Sequence, residues 1–189
     1  MIRVVEPKDY CYYRSRIDVF MGLLSYQESF HLSDEEQKRC TFFIAEEDGD
    51  VYGGAVLREI SINQLPHRLK NNVLNFMPHQ KEVWEGKLFV RNEPLNSLNR
   101  NKSSPLFYLS LLEKFLGFGS QKGSNLLFLS VNQVEYLRIQ KGGHWPYVAE
   151  VNPPSSLDGL FHGVISLRRP QEKVVTKWNG IPRSARCLG

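Results

Sequence analysis

Glu82-Val-Trp-Glu-Gly-Lys-Leu-Phe-Val90 leads into the polar stretch Arg91–Ser104, and that stretch leads into Pro105 and an apolar run reaching Phe118. Val83, Trp84, Phe89 and Val90 are residues that favour extended backbone, and they predict a strand over Glu82–Val90. The loop is long for a connection inside a compact domain, which points to function. Ser104 then Pro105 has the N-cap and first-turn chemistry of a helix start. Leu106, Leu109, Leu112, Phe115 and Leu116 give that helix its expected buried face, with Gly117 and Gly119 expected to stop it. A helix N-terminus behind a loop rich in Asn, Ser, Arg and Lys presents backbone N–H groups suited to an anion or a carbonyl oxygen.

The rest of the chain supplies partners for that strand. Ile2–Val5 reads as a short strand, and Tyr10, Tyr13, Ile17, Phe20, Met21 and Leu24 recur at helical spacing. Ser33-Asp-Glu-Glu36 has capping-box spacing before a short polar helix. Thr41–Glu46 and Val51–Ile60 form a hairpin bent at Asp48-Gly49, and the paired Gly53 and Gly54 mark a bulge or a close approach. Asn63–Met77 reads as a helix or crossover between Pro66 and Pro78. Beyond the central helix, Asn125–Val131 is an apolar strand, Gln133–Lys141 a short helix, and Tyr147–Val151 and Leu160–Leu167 two further strands. The predicted class is α/β (α+β): a mixed central sheet of about seven strands, with a parallel pair in the middle and helices on both faces.

Length and composition fit one ordinary globular domain, expected over 1–167. Six basic residues, Arg168, Arg169, Lys173, Lys177, Arg183 and Arg186, stand against Glu172 alone in 168–189, so this end carries +5 and the preceding body about −1. The end reads as a basic, partly disordered tail able to attract an acidic partner, a phosphate-bearing cofactor or nucleic acid. No apolar run is long enough to span a membrane and MIRVVEPKDY lacks signal-peptide order, so a cytoplasmic location is expected. Cys11, Cys40 and Cys187 are odd in number and far apart, and His67 and His79 have no ligand partner at metal spacing; no disulfide or metal site is expected.

The order of elements, with a strand–loop–helix at its centre and a helix–strand–strand finish, is similar to the GNAT acyltransferase fold. Within that superfamily the chain resembles the acyl-homoserine-lactone synthases, the autoinducer synthases. Arg16-x-x-x-Phe20 followed by Tyr26 resembles the family's N-terminal Arg, Phe and Trp, which shape the pocket where acyl donor and adenosyl substrate meet. Phe42–Leu57 resembles the family's second and third strands. Val83-Trp84-Glu85-Gly86-Lys87-Leu88-Phe89-Val90 resembles its W-E-x-S-R-F-x-V strand, with Glu85 as the acid and Lys87, one residue early, where an Arg is usual. Gln37 and Cys40 stand near the places of two family Asp residues, and Val56 at that of a third-strand Arg, with Arg58 two residues on. The family organises its S-adenosylmethionine site with those groups, so use of that ligand is left open. Arg91–Ser104 has no glycine, and therefore lacks the turn with which most GNAT enzymes cradle coenzyme A. The lactone synthases lack it too and typically take acyl groups from an acidic carrier protein, a donor that a basic tail suits.

The resemblance implies an N-acyltransferase that moves an acyl group from a thioester, acyl-coenzyme A or acyl-carrier protein, to a small amine. Such a reaction needs a base, a polarised thioester carbonyl and juxtaposition of the two reactants. Glu85, a carboxylate on a mostly apolar strand, is the expected base, and backbone N–H groups near Phe89 and Val90 the expected oxyanion donors. Lys87, Arg91, Ser103 and Ser104 are expected to meet the donor's phosphate, and Arg16, Phe20, Tyr26 and Trp84 to line the acyl and acceptor pocket. The plainer reading of Glu85 is a surface carboxylate paired with Lys87 two residues on, and of Trp84 a core residue. Two other functions fit the same residues: a GNAT-like ligand-binding or interaction module without catalysis, and nucleic-acid binding through the tail.

Overall fold

The computed structural model describes residues 1–28, 31–90, 105–123, 125–142 and 145–167. Its strands are β1 (Ile2–Val5), β2 (Thr41–Glu47), β3 (Asp50–Ser61), β4 (Glu82–Val90), β5 (Leu126–Val131), β6 (Tyr147–Val151) and β7 (Phe161–Ser166). Its helices are α1 (Tyr10–Glu28), α2 (Asp34–Gln37), α3 (His67–Phe76), α4 (Pro105–Lys122) and α5 (Gln133–Gly142). The strands form one sheet in the order β1-β2-β3-β4-β5-β7-β6. Every neighbouring pair is antiparallel except β4 and β5, the expected parallel pair.

Helices cover both faces, which is why the middle strands are apolar at successive positions instead of alternating. β5 is buried along its whole length and β2 from Thr41 to Ala45. On one face α4 and α5 pack over Phe43, Ala55, Leu57, Leu88, Leu127, Leu129 and Phe161, with Phe115 edge-on to Phe43 at 4.9 Å between ring centroids. On the other face there are two cores. α1 sets Ile17, Phe20, Met21 and Leu24 against Phe42, Ile44 and Val56, and α3 sets Leu69 and Val73 against Val83, Phe128 and Val164. Each fully buried Leu, Ile or Phe in these clusters contributes on the order of 1.5–3 kcal/mol.

The expected stripe of α1 is the buried one, and Ser33 and Glu36 form the expected capping box at α2. Gly54, at φ +152°, sits where a Cβ would lie 2.0 Å from the Phe43 carbonyl oxygen, beside a register shift at Ala45/Glu46. The paired glycines thus mark both a bulge and a close approach.

Two expectations about α4 are corrected. Gly117 and Gly119 do not end the helix, which runs to Lys122 before Gly123 turns at φ +67°. Gly119 is a packing glycine: a Cβ there would meet the Leu167 Cβ at 2.3 Å. The buried face is also rotated from the expected stripe, to Phe107, Tyr108, Leu111, Leu112, Phe115 and Phe118, leaving Leu109 exposed. With apolar residues almost all round this helix, spacing alone leaves its orientation undecided.

Candidate functional site

Side chains alternate along β4. Trp84 and Leu88 enter the core under α4, and Val83, Glu85 and Lys87 face the other side. On that second face the α1 core ends at Val56 and the α3 core begins at Val83 and Phe128. Glu85 falls in the gap between them. Its register partners are Arg58 on β3 and Phe128 on β5, and the Arg58 Nε donates to Glu85 Oε2 at 2.6 Å. The pairing with Lys87 considered from sequence gives way to this cross-strand pair, in which the Glu85 side chain is 14% exposed and Arg58 37%. Glu36, held by the Ser33 cap, approaches Arg58 at 3.9 Å. Two carboxylates around one guanidinium give these three side chains a net charge of −1, with Lys87 next along the same face. Cys40 lies against the same group, its thiol donating to the Glu36 carbonyl oxygen at 3.2 Å. Burial pushes this thiol up to about 11, Arg58 pulling it down and Glu36 and Glu85 adding to the rise.

β4 and β5 pair only over Trp84–Gly86 and Leu127–Leu129. Beyond that row β4 continues to Val90 along β3, and β5 continues to Val131 along β7. Each strand is held there by its outer neighbour, so the sheet splits down its middle into a wedge, and alternate backbone groups of β4 past Gly86 project into it. The backbones of Phe89 and Val90 form one wall, in register with Gly54 and Gly53. Ser130 is the first β5 residue beyond the last paired row and lies on the Glu85 face, with His162 opposite it on β7.

The other sequence-derived site residues separate into groups. Lys87 lies on the Glu85 face, one row further along β4. Arg16 is elsewhere: it reaches the Gly49 carbonyl and stands 3.8 Å from Glu46, at the β2–β3 turn. Glu46 pairs with Val51, seven residues from Arg58 along β3, roughly 23 Å away at strand spacing. Phe20 is fully buried beneath α1, edge-on to Phe42. Trp84 is on the opposite face of the sheet from Glu85, edge-on to Phe118 at 5.1 Å. Arg91, Ser103, Ser104 and the tail 168–189 lie outside the described residues, and Tyr26, Phe89 and Val90 are described through their backbone.

Sequence reading passed over Arg58 as the partner of Glu85, and it missed a second polar pair. His162 Nε2 lies 3.0 Å from Asp158 Oδ1, with the imidazole 6% exposed and stacked on Phe128. Burial acts to raise the Asp158 pKa, and hydrogen bonds from the Leu160 N–H and His162 outweigh it, so the carboxyl sits below its ordinary range. Asp158 and His162 lie where a loop enters a strand, and their spacing there carries no periodic signal. Among the described residues no cluster of three or more His, Cys, Asp or Glu is arranged for a metal ion, and no helix is long and apolar enough to cross a membrane.

No family model and no curated protein matches the chain. Solved structures do. A coenzyme-A-dependent acyl-homoserine lactone synthase, BjaI, with S-adenosylmethionine and isopentyl-CoA, aligns over 89% of this chain and 84% of its own at TM-score 0.57 and 14% identity. FeeM, an N-acyl amino acid synthase from uncultured soil microbes, aligns over 88% and 95% at TM-score 0.52 and 13% identity. An aminoglycoside 6′-acetyltransferase type Ii aligns over 90% and 99% at TM-score 0.53 and 14% identity. In strand order, central parallel pair and helical layers, the chain has the GNAT-like fold of these proteins, and it resembles the lactone synthases among them.

Proposed function

We propose that the protein is an N-acyltransferase that takes an acyl group from acyl-coenzyme A or an acyl-carrier protein and passes it to a small amine held over Glu85 and Arg58. The observation that carries this reading is the β4–β5 wedge with a net-negative Glu36–Arg58–Glu85 group on one face beside it. An extended thioester arm entering the wedge meets strand backbone on both sides, and the N–H groups at the end of β4, about Phe89 and Val90, are the oxyanion donors. Such donors supply roughly 3 kcal/mol each when well placed.

The role of Glu85 shifts from the one suggested by sequence. Its Oε2 is taken by the Arg58 guanidinium at 2.6 Å, so its part in this reading is to attract and orient the acceptor's amine. S-adenosylmethionine, present with the BjaI lactone synthase, carries an amine, a sulfonium and a carboxylate that two carboxylates and a guanidinium complement. It is therefore the first acceptor to test.

Thermal-shift titrations with acyl-coenzyme A of several chain lengths, acyl-carrier protein and S-adenosylmethionine, paired with a thiol-release assay over a panel of amines, test the reading. A donor thioester raises Tm, and Glu85→Gln keeps that rise while increasing the acceptor KM at least about tenfold, the loss of one charge-assisted contact. If no acyl thioester of either kind moves Tm or releases thiol, the protein is not an acyltransferase.

A further inference from the structure

The proposed reaction needs a proton acceptor, and Glu85 is committed to Arg58. A second candidate sits on the same face of the sheet. His162 is directly opposite Ser130 in the β5–β7 ladder, so the two side chains emerge together with Cβ atoms about 4.5–5.5 Å apart. Both are buried, Ser130 at 9% exposure and His162 at 6%. The His162 Nε2 faces the Asp158 carboxylate at 3.0 Å, and its Nδ1 has no hydrogen-bond partner among the described residues.

That asymmetry fixes the chemistry of the ring. A carboxylate accepts, so a neutral imidazole beside it carries its proton on Nε2 and leaves a lone pair on Nδ1. A buried ring nitrogen left unsatisfied is destabilising, which makes it a group to be explained by a role. The stack on Phe128, itself the register partner of Glu85, holds the imidazole in place. Ser130 borders the wedge. Glu85 and His162 are two strands across and two residues along, about 12 Å between Cα atoms at sheet spacing, with Ser130 lying between them in strand order.

We propose that Asp158, His162 and Ser130 form a proton relay that deprotonates the acceptor amine, an assignment that rests on the acyl-transfer reading above. The free-base amine attacks the thioester carbonyl carbon, the C–N bond forms and the carbonyl pair moves onto oxygen. The Ser130 hydroxyl, turned about χ1 onto the unpartnered Nδ1 of the residue opposite it, takes the amine proton as its own proton passes to His162 Nδ1, giving an imidazolium held by Asp158. The carbonyl re-forms, the C–S bond breaks with its pair on sulfur, and the proton returns by the same route to the thiolate. Amide and thiol leave, and all three side chains are restored. Ser130 is the catalytic residue of the three, and His162 and Asp158 act through it.

The test combines kinetics with a spectroscopic readout that needs no substrate. Ser130→Ala and His162→Gln each lower kcat roughly 100-fold, the scale of general-base catalysis. They leave the donor KM and the Tm rise with acyl-coenzyme A in place, and their combination costs little more than either alone, since the groups act as a unit. Asp158→Asn, at a side chain 49% exposed, lowers kcat at least tenfold and serves should the core variants fold poorly. Nitrogen-15 NMR of the wild-type protein shows His162 protonated on Nε2. A wild-type enzyme that turns over while Ser130→Ala and Asp158→Asn stay within threefold of it overturns the relay and leaves acyl transfer standing. A His162 proton on Nδ1 overturns the relay as well. A wild-type protein that binds no thioester and releases no thiol refutes both readings, and is told apart because the loss precedes any substitution.

Discussion

The Arg58–Glu85 pair can be measured by a double-mutant cycle of Arg58→Met, Glu85→Gln and the two combined. At about 4 Å between charge centres, an effective dielectric of 20 gives roughly 4 kcal/mol of attraction as a ceiling. Arg58 is 37% exposed, so solvent removes much of that, and fully exposed pairs fall to about 0.2–1 kcal/mol. Between these bounds the expected coupling is about 1–2 kcal/mol, far enough above the ~0.5 kcal/mol scatter of independent sites to be resolved. Arg58→Met alone costs more than the coupling suggests, because it leaves a carboxylate of 14% exposure without its cation. That cost is about 1–3 kcal/mol. For a chain of this size, each kcal/mol moves Tm by roughly 2–4 °C. The assay is urea unfolding of the four proteins at low and high salt, with the coupling shrinking only in part at high salt because the pair is half shielded. Coupling indistinguishable from zero at low salt refutes the pair, and with it the argument that Glu85 is unavailable as a base.

Two glycines of α4 that look alike in sequence have opposite outcomes. Gly119→Ala drives a Cβ to 2.3 Å from the Leu167 Cβ and costs about 1–3 kcal/mol. Gly117→Ala meets nothing within 4 Å and stabilises the helix by about 0.5–1 kcal/mol; thermal melts separate them, and equal effects would contradict the placement of α4. The cysteines divide in the same manner. Iodoacetamide alkylates exposed Cys11 ahead of Cys40, which is 2% exposed with its thiol raised to about 11. Because the folded thiol holds its proton above the unfolded value near 9, Cys40 supports the fold fully below pH 9, and this support is lost as pH climbs toward 11. A Cys40→Ala protein loses less stability over that interval, as followed by urea midpoints, whereas parallel curves would show the thiol to be solvated.

Sequence periodicity recovered the strands and the parallel centre because each strand's apolar spacing is short-range and its burial follows directly. β4 was read with its observed limits, and Glu85 stands out there as a carboxylate in an apolar strand. What sets the chemistry of Glu85 depends on register. Arg58 meets it only because β3 and β4 pair antiparallel with a particular offset, and Arg58 precedes Glu85 by 27 residues. His162 and Ser130 were illegible for the same reason: they belong to strands 30 or more residues apart, and become neighbours only through the β5–β7 ladder. Arg16 shows the converse. Its position on α1 matches the residue types of the lactone-synthase pattern, but the helix turns it toward Glu46 and away from Glu85.

The wedge and the charged gap trace to one property of β4. From Val83 to Leu88 its odd-numbered positions meet the α1 and α3 side and its even ones the α4 side, so a slip of one residue would put Trp84 and Leu88 in the gap and bury Glu85 and Lys87 under α4. Burial of Leu88 and the Trp84–Phe118 contact oppose that slip. Gly86 stands in the last paired row, where the wedge begins. A Cβ there would come within 2.8 Å of Leu129 Cδ2, 3.0 Å of Leu57 Cδ2 and 3.1 Å of Leu127 Cδ1, so a larger residue would displace these leucine methyls from the space they fill at the row that still joins the strands. The glycine lets three leucine side chains close beneath the split, and the next row up, Lys87 on one strand and Ser130 on the other, is the first where the strands part. The same nine residues that hold the sheet's centre together therefore also determine where it opens and which charges stand at the opening.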